Sequence, residues 1–298
     1  MPLNLTGLAT YTDQNSGILL GRAILGADFL QYVNLQPGYS AGTVDINVLN
    51  LGLLDFTTRA CGWPTNGGGT VSYEKVSVTV RNRQQKSSLC LQDLRGYWLS
   101  AQMGAGGFQE DYPLEQWLTD EMVKATRLNF EQTLGTDIIS GMTASNGVTT
   151  VASAGWTVST IFDSANNLID AIPTNVRSRD DLHMYMSYGV FRNLSRALVQ
   201  LNYFNYPVNG ATNYGSGLGQ HIMFPGTNIK CVPVAGLGTS NRVFLGPKEH
   251  LVVVTGLTDD QDKLDVWYSK DNDEIRTLSA YRAGIGAVYS SFVQNGQA

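Results

Sequence analysis

Residues 262–293 read DKLDVWYSKDNDEIRTLSAYRAGIGAVYSSFV, and the periodicity of this stretch decides the fold class. Leu264, Val266 and Tyr268 share one parity, the period-two signature of a strand. A longer run begins at Ile275. Tyr281, Ala283, Ile285, Ala287 and Tyr289 fall on one parity, and Arg282, Gly284, Gly286 and Val288 on the other. The small residues of the second parity are expected to let a helix backbone lie close against the strand. A sheet with its own helices is therefore required, and the rest of the chain must supply both.

Upstream, strands are predicted at 229–234, 243–245, 251–255 and 182–186. Residues 200–224 are rich in Asn, Tyr and Gly and read as a loop. A short helix is predicted over 190–198. Another spans about 158–171, with Val158, Ile161, Phe162, Ala165, Leu168, Ile169 and Ile172 at helical spacing and Pro173 as its stop. The clearest helix follows Pro113, which suits a first helical position. Its stripe is Leu114, Trp117, Leu118, Met122, Ala125 and Leu134, with Phe130 off the line, and it ends near Ile139 before Gly141. Asp120 and Lys124 are spaced to pair on its polar side.

Residues 43–83 read as a long β-ribbon. Val44, Ile46 and Val48 alternate with Asp45 and Asn47, and Val76, Val78 and Val80 with Ser77 and Thr79. Val71 and Tyr73 have the opposite parity, which calls for a bulge or strong twist near Glu74. CGWPTNGGG breaks the two runs at 61–69. A ribbon of this kind has too little bulk for a core of its own and needs a neighbour. Residues 1–35 hold only Asp13, Arg22 and Asp28 as charges. Their partial stripe (Leu19, Leu20, Ile24, Leu25, Phe29, Leu30) suggests an arm that docks on something. The whole pattern is α+β.

The 298 residues are 43% hydrophobic but only 15% charged, against about a quarter in ordinary globular domains. Gly contributes 32 residues without a collagen-like period. Sparse charge implies surface hidden against other chains. The net charge of −5 argues against a general nucleic-acid binder. No apolar run reaches membrane-spanning length, and the N-terminus lacks a basic and apolar leader. Cys61, Cys90 and Cys231 are odd in number and show no paired spacing, so they read as buried or half-buried thiols in a reducing compartment.

Chemistry-bearing motifs are missing. There is no phosphate loop, nucleophile elbow, HExxH helix or strand-linked GxGxxG. His183, His221 and His250 are far apart, and His183 reads as structural within its strand. Asp180–Asp181 and Asp259–Asp260–Asp262 read as solvated turns rather than a calcium loop. No catalytic residue, metal site or cofactor is expected. The charge distribution says more. Residues 71–95 carry Lys75, Arg81, Arg83, Lys86 and Arg95 against two acids, a local +3. Residues 259–274, with Asp259, Asp260, Asp262, Asp271, Asp273 and Glu274 among seven acids, are locally −5. Such patches suit a head-to-tail contact between copies. Tyr203, Phe204 and Tyr206 read as a further inter-subunit contact, with stacking on a sugar or base as the other option.

In layout the sequence resembles the major capsid proteins of tailed bacteriophages, whose fold is shared with encapsulin shells. The texture is closest in 262–293 and in IKCVPVAGL (229–237) with NRVFLGPKEHLVVVTGLTDD (241–260), including Arg282 and Tyr289. The resemblance implies an N-terminal arm at 1–40 and an extended β-hairpin loop at 41–88. It implies a peripheral domain with a long spine helix at 89–150, an axial domain with mixed sheet and flanking helices at 151–256, and peripheral return strands at 257–298. It further implies pentamers and hexamers closing into an icosahedral head around double-stranded DNA, assembled in the host cytoplasm. Partners would be other copies, a portal protein, scaffolding and decoration proteins, and DNA held non-specifically, with no membrane. The charged helical segment that often precedes the arm is missing, which implies a separate scaffolding protein or none. Some members crosslink a loop Lys to a neighbour's Asn; Lys75 is the only lysine of the ribbon and Asn272 a possible partner type, although surface charge also accounts for Lys75. An encapsulin-like cellular shell and a carbohydrate- or receptor-binding virion module are the alternatives.

Overall fold

The computed structural model describes residues 24, 27–37, 42–51, 71–90, 114–143, 147–201, 221–256, 263–272 and 274–297. In chain order these form β1 (Asn34–Pro37), β2 (Gly42–Leu51), β3 (Val71–Cys90), α1 (Leu114–Gly141), β4 (Thr149–Ala152), α2 (Ile161–Ala171), the single turn α3 (Thr174–Arg177), β5 (Leu182–Met186) and α4 (Tyr188–Gln200). There follow β6 (Ile222–Met223), β7 (Lys230–Pro233), β8 (Arg242–Pro247), β9 (Leu251–Thr255), β10 (Lys263–Ser269), β11 (Glu274–Ala287) and β12 (Gln294–Gln297). The α+β class holds, and α1, α2, α4, β5 and β7–β10 lie within a few residues of their predicted places; β3 runs seven residues beyond the expected end of the ribbon, β6 falls within the expected loop, and β1, β4 and β12 are not among the predicted strands.

The strands form two mixed sheets. One has the order β1-β9-β11-β3-β2, with β10 also on β11; the other runs β4-β12-β8-β5-β7-β6. Alternation assigns the faces of the second sheet. Leu182, Met184 and Met186 of β5, with Val243 and Leu245 of β8 and Cys231 of β7, meet Ile161, Ala165 and Leu168 of α2 and Val190, Leu194 and Ala197 of α4. The intervening Tyr185, Phe244 and Val232 face the other way, into a core shared with Phe130, Leu134 and Ile138 of α1 and with Leu251, Val253, Tyr281 and Ile285 of the first sheet. One core thus joins the two sheets. Ser187 caps α4, its hydroxyl accepting from the Val190 amide at 3.4 Å.

The buried face of α1 shares Leu134 and Phe130 with the predicted stripe but departs from it elsewhere; the side chains of Leu114, Trp117 and Leu118 lie outside the described ones. Thr119, Thr126, Phe130, Leu134 and Ile138 are buried, whereas Ala125 is exposed. The two threonines keep helical phase with Phe130, which an apolar-only count passes over. Lys124 pairs with Glu121 at 3.3 Å rather than with Asp120. At the end of α1, the carbonyls of Ile139 and Met142 accept from Arg242 Nη1 at 3.1 Å and Asn295 Nδ2 at 2.9 Å. The second sheet therefore satisfies acceptors that the helix leaves open.

Part of the segment expected as a docking arm is docked on its own chain. Ile24, Phe29 and Leu30 enter the shared core, β1 pairs in parallel with β9, and the Tyr185 hydroxyl donates to the Tyr32 carbonyl at 2.5 Å. Cys90 is exposed, contrary to the expectation of a buried or half-buried thiol, because it ends β3 at the rim of the sheet; Cys231 is buried, which pushes its thiol up to about 12. Cys61 lies outside the described residues.

Candidate functional site

The feature with the clearest architectural consequence is β3. Its 20 residues divide between two partners. Arg81–Cys90 pair antiparallel with β11, from Ala283↔Arg81 to Glu274↔Cys90. Val71–Val80 pair with β2, from Leu51↔Val71 to Gly42↔Val80. The β2–β3 register runs unbroken through Glu74, so the expected bulge is not there. The discontinuity lies instead at Val80–Arg81, where the strand leaves one partner for the other.

Side chains at this crossover explain how the ribbon is rooted. Val78 and Val80 are buried on Val252 and Val254 of β9, with Val44 and Ile46 packed on the same cluster. β3 thus passes from the edge of β11 onto the face of its sheet. The glycines of β11 make the passage possible. A Cβ on Gly284 would overlap the Thr79 carbonyl, and one on Gly286 would lie 2.6 Å from Val78 Cγ2. The small parity of β11 therefore admits a strand, not the helix expected from sequence. The helix packs on the larger parity, where the Phe130 and Tyr281 rings meet edge-on at 5.4 Å.

The outer face of the ribbon is polar. Thr43, Asp45, Asn47, Lys75, Ser77 and Thr79 are exposed. Asp45 accepts from Lys75 Nζ and from the Ser77 hydroxyl, each at 2.7 Å. The Lys75 bond, then the Ser77 bond, holds the Asp45 carboxyl below its ordinary value. At the root, Arg83 Nη2 donates to both oxygens of Asp137 on α1, at 2.7 and 2.8 Å, and Arg81 lies 3.6 Å from the same carboxylate. Between β3, the end of α1 and the end of β11 lies a cleft of about 450 Å³, lined by Lys75, Ser77, Arg81, Asp137, Ser140 and Gly286 among others.

Of the five cations singled out by sequence, Lys75, Arg81 and Arg83 are therefore engaged within the chain, Lys86 stays exposed beside Leu278 of β11, and Arg95 lies outside the described residues. Glu274 accepts from Arg276 Nε at 2.8 Å and from Asn272 Nδ2 at 3.3 Å, and these bonds lower its carboxyl. Asp271 is exposed. Because Glu274 pairs with Cys90, the basic and acidic stretches share the β3–β11 ladder and lie side by side. Asp259, Asp260, Asp262, Asp273, Tyr203, Phe204 and Tyr206 lie outside the described residues. Asp137 was missed by sequence reasoning: 54 residues separate it from Arg83, and no local pattern links a helical carboxylate to a strand that far away.

The other titratable groups are structural in their surroundings. His183 donates from Nδ1 to the Asp181 carbonyl at 2.7 Å. Asp181, read as a solvated turn, accepts two bonds of 2.8 Å from Arg179, which also reaches Glu249 at 3.0 Å. Asp180 accepts from Asn228 at 2.8 Å. Among the described residues no group of three or more His, Cys, Asp or Glu is placed to hold a metal ion. No described helix is long and apolar enough to cross a membrane.

No family model and no curated protein sequence matches the chain. Solved structures do match across nearly all of it. The virus-like particle from Pyrococcus furiosus aligns with a TM-score of 0.55 at 11% identity, over 96% of this chain and 99% of that one. The SrpI encapsulin complex from Synechococcus elongatus PCC 7942 gives 0.55 at 8% identity, over 90% and 86%. The capsid of cyanophage P-SCSP1u gives 0.53 at 12% identity, over 89% and 86%. The chain thus has the fold of phage capsid and encapsulin shell proteins.

Proposed function

We propose that the chain is a shell-forming structural protein, whose copies assemble as pentamers and hexamers of an icosahedral phage head enclosing double-stranded DNA. The observation that carries this reading is the rooted ribbon within a capsid-type fold. Its inner face is anchored on Val252 and Val254, while its outer polar face is exposed. A two-stranded ribbon gains little from its own packing. Burial against a neighbour supplies what the single chain lacks, and many such contacts per subunit give avidity. In this reading 1–40 is the arm, 41–88 the extended loop, 89–150 and 257–298 the peripheral domain with α1 as spine, and 151–256 the axial domain. Lys75, Lys86, the acidic stretch at 259–274 and Tyr203, Phe204 and Tyr206 are its contacts between subunits. Portal, scaffolding and decoration proteins are its further partners, and assembly takes place in the host cytoplasm.

A cellular shell around a protein cargo is the second reading, favoured by the equally high fold similarity to an encapsulin. The test is expression of the chain alone, followed by size exclusion and negative-stain electron microscopy. Closed shells, tubes, or rings of five and six subunits are expected. DNA in native particles selects the phage head, and a protein cargo selects the cellular shell. A compact 32.4 kDa monomer at high concentration, unchanged by added scaffolding protein, would reject both.

A further inference from the structure

The outer face of α4 carries two cations that have no acidic partner among the described residues. Among the described arginines, Arg83, Arg127, Arg177, Arg179 and Arg276 have carboxylate partners, and Arg81 lies near Asp137. Arg242 is taken by the Ile139 carbonyl, and Arg282 is buried with an interaction of its own. Arg192 and Arg196 are the exceptions: both are exposed, and neither has an acidic partner among the described residues. They stand one turn apart on α4, where like charges oppose the helix rather than support it. Tyr188 and Val199 complete the same stripe, 54% and 51% exposed, opposite the buried Val190, Leu194 and Ala197. Leu201, just past the helix, is 54% exposed.

Tyr and Arg interleaved with exposed aliphatic groups is the composition of a protein-binding surface. A phosphate backbone would need the cations but not the apolar shoulders, and the net charge of −5 disfavours it further. Guanidinium groups in this arrangement suit a carboxylate-rich segment. The chain carries one in residues 259–274, with seven acids against two lysines. Its described strands, β10 and β11, belong to the first sheet, whereas α4 packs on the second. We propose that the Tyr188–Arg192–Arg196–Val199 face of α4 receives the acidic 259–274 segment of a second copy. The inference rests on the assembly reading and names the contact that would drive it.

The test compares wild type, Arg192→Glu/Arg196→Glu, Asp259→Lys/Asp260→Lys/Asp262→Lys, and the two sets combined, by sedimentation velocity and electron microscopy. Circular dichroism and thermal unfolding confirm that each variant is folded, and the milder Arg192→Gln/Arg196→Gln serves if the reversal does not fold. Either reversal is expected to raise the concentration needed for assembly at least tenfold, and the combination to restore it. Loss without restoration overturns the acidic segment as the occupant. Assembly like wild type in the arginine variant overturns the contact altogether. Normal assembly with lost nucleic acid, read from the 260/280 nm ratio, overturns it in favour of a nucleic-acid face. A wild type that never assembles rejects the shell reading itself, which separates the two failures.

Discussion

Gly135, in the last quarter of α1, meets Gly236 backbone to backbone. A Cβ built on either residue would overlap the main chain around the other: on Gly135 it strikes Gly236, and on Gly236 it strikes the Glu131 carbonyl. The 3₁₀ turn Ala235–Leu237 between β7 and β8 thus sits directly on the helix, which fixes α1 to the second sheet.

Gly135→Ala is therefore expected to destabilise the fold by about 2 kcal/mol or more, despite the gain of about 1 kcal/mol that Ala brings to a helix interior. Denaturant unfolding would measure it. A midpoint equal to or above wild type would show that the contact can relax.

Gly286→Val tests the root of the ribbon, where Val78 Cγ2 lies 2.6 Å from the position of a Cβ. The expected outcome is a folded chain with native helix content, a stability loss of about 1–3 kcal/mol and faster proteolysis within 71–80. Unchanged proteolysis of that strand would place the anchoring elsewhere.

Asp137 and Asp45 form ion pairs of similar length in different surroundings. The Asp137 side chain is 11% exposed and holds Arg83, whereas Asp45 and Lys75 are exposed at the surface. Asp137→Asn should cost about 1–3 kcal/mol, because it leaves a half-buried guanidinium short of its acceptor. Asp45→Asn should cost nothing measurable. Equal losses in the two variants would contradict this assignment.

Acid should weaken the protein in two stages. Burial holds both His183 and His250 below their ordinary values, with nearby Arg179 adding to the effect at His250. The His250 ring meets Tyr289 at 4.7 Å and Phe292 at 5.5 Å, and its Nε2 has no hydrogen-bond partner among the described residues. Below about pH 6.5 the unfolded chain binds protons that the folded chain refuses. Stability then falls by up to about 1.4 kcal/mol per pH unit for each ring until the folded values are passed. Asp181, held below its ordinary value by its hydrogen bonds from Arg179, adds a second loss below about pH 4. Thermal unfolding from pH 8 to pH 5 should show the first stage and lose most of it in His183→Gln/His250→Gln. A flat profile in the wild type would sink the assignment.

Thiol labelling should separate the two described cysteines. In a Cys61→Ser background, Cys90 is expected to react with a maleimide in the native protein. Cys231, buried and with its thiol pushed up to about 12, should react only on unfolding. Two equally fast native thiols would be inconsistent with the core around β7.

The α+β class, the long helix after Pro113, and strands such as β5 and β9 were legible because each follows from a local period or a local breaker. Leu251–Thr255 and Leu182–Met186 coincide with their predicted limits. The ribbon was legible for the same reason, since the alternation of Val44, Ile46, Val76 and Val78 is local. Its root was not. The change of partner at Val80–Arg81 depends on Gly284 and Gly286, some 200 residues away. Nothing near Val80 in sequence announces them. The charge patches failed in the same way: net charge along a segment is local, but the engagement of Arg83 by Asp137 is a matter of distance in space. Residue order carried the positions of most helices and strands, because those properties have the period of the backbone. Which face of β11 meets the helix, where β3 turns away from its sheet, and which described arginines find carboxylate partners follow from the fold alone. Those outcomes rest on close approach and pairing between residues that the chain order keeps apart.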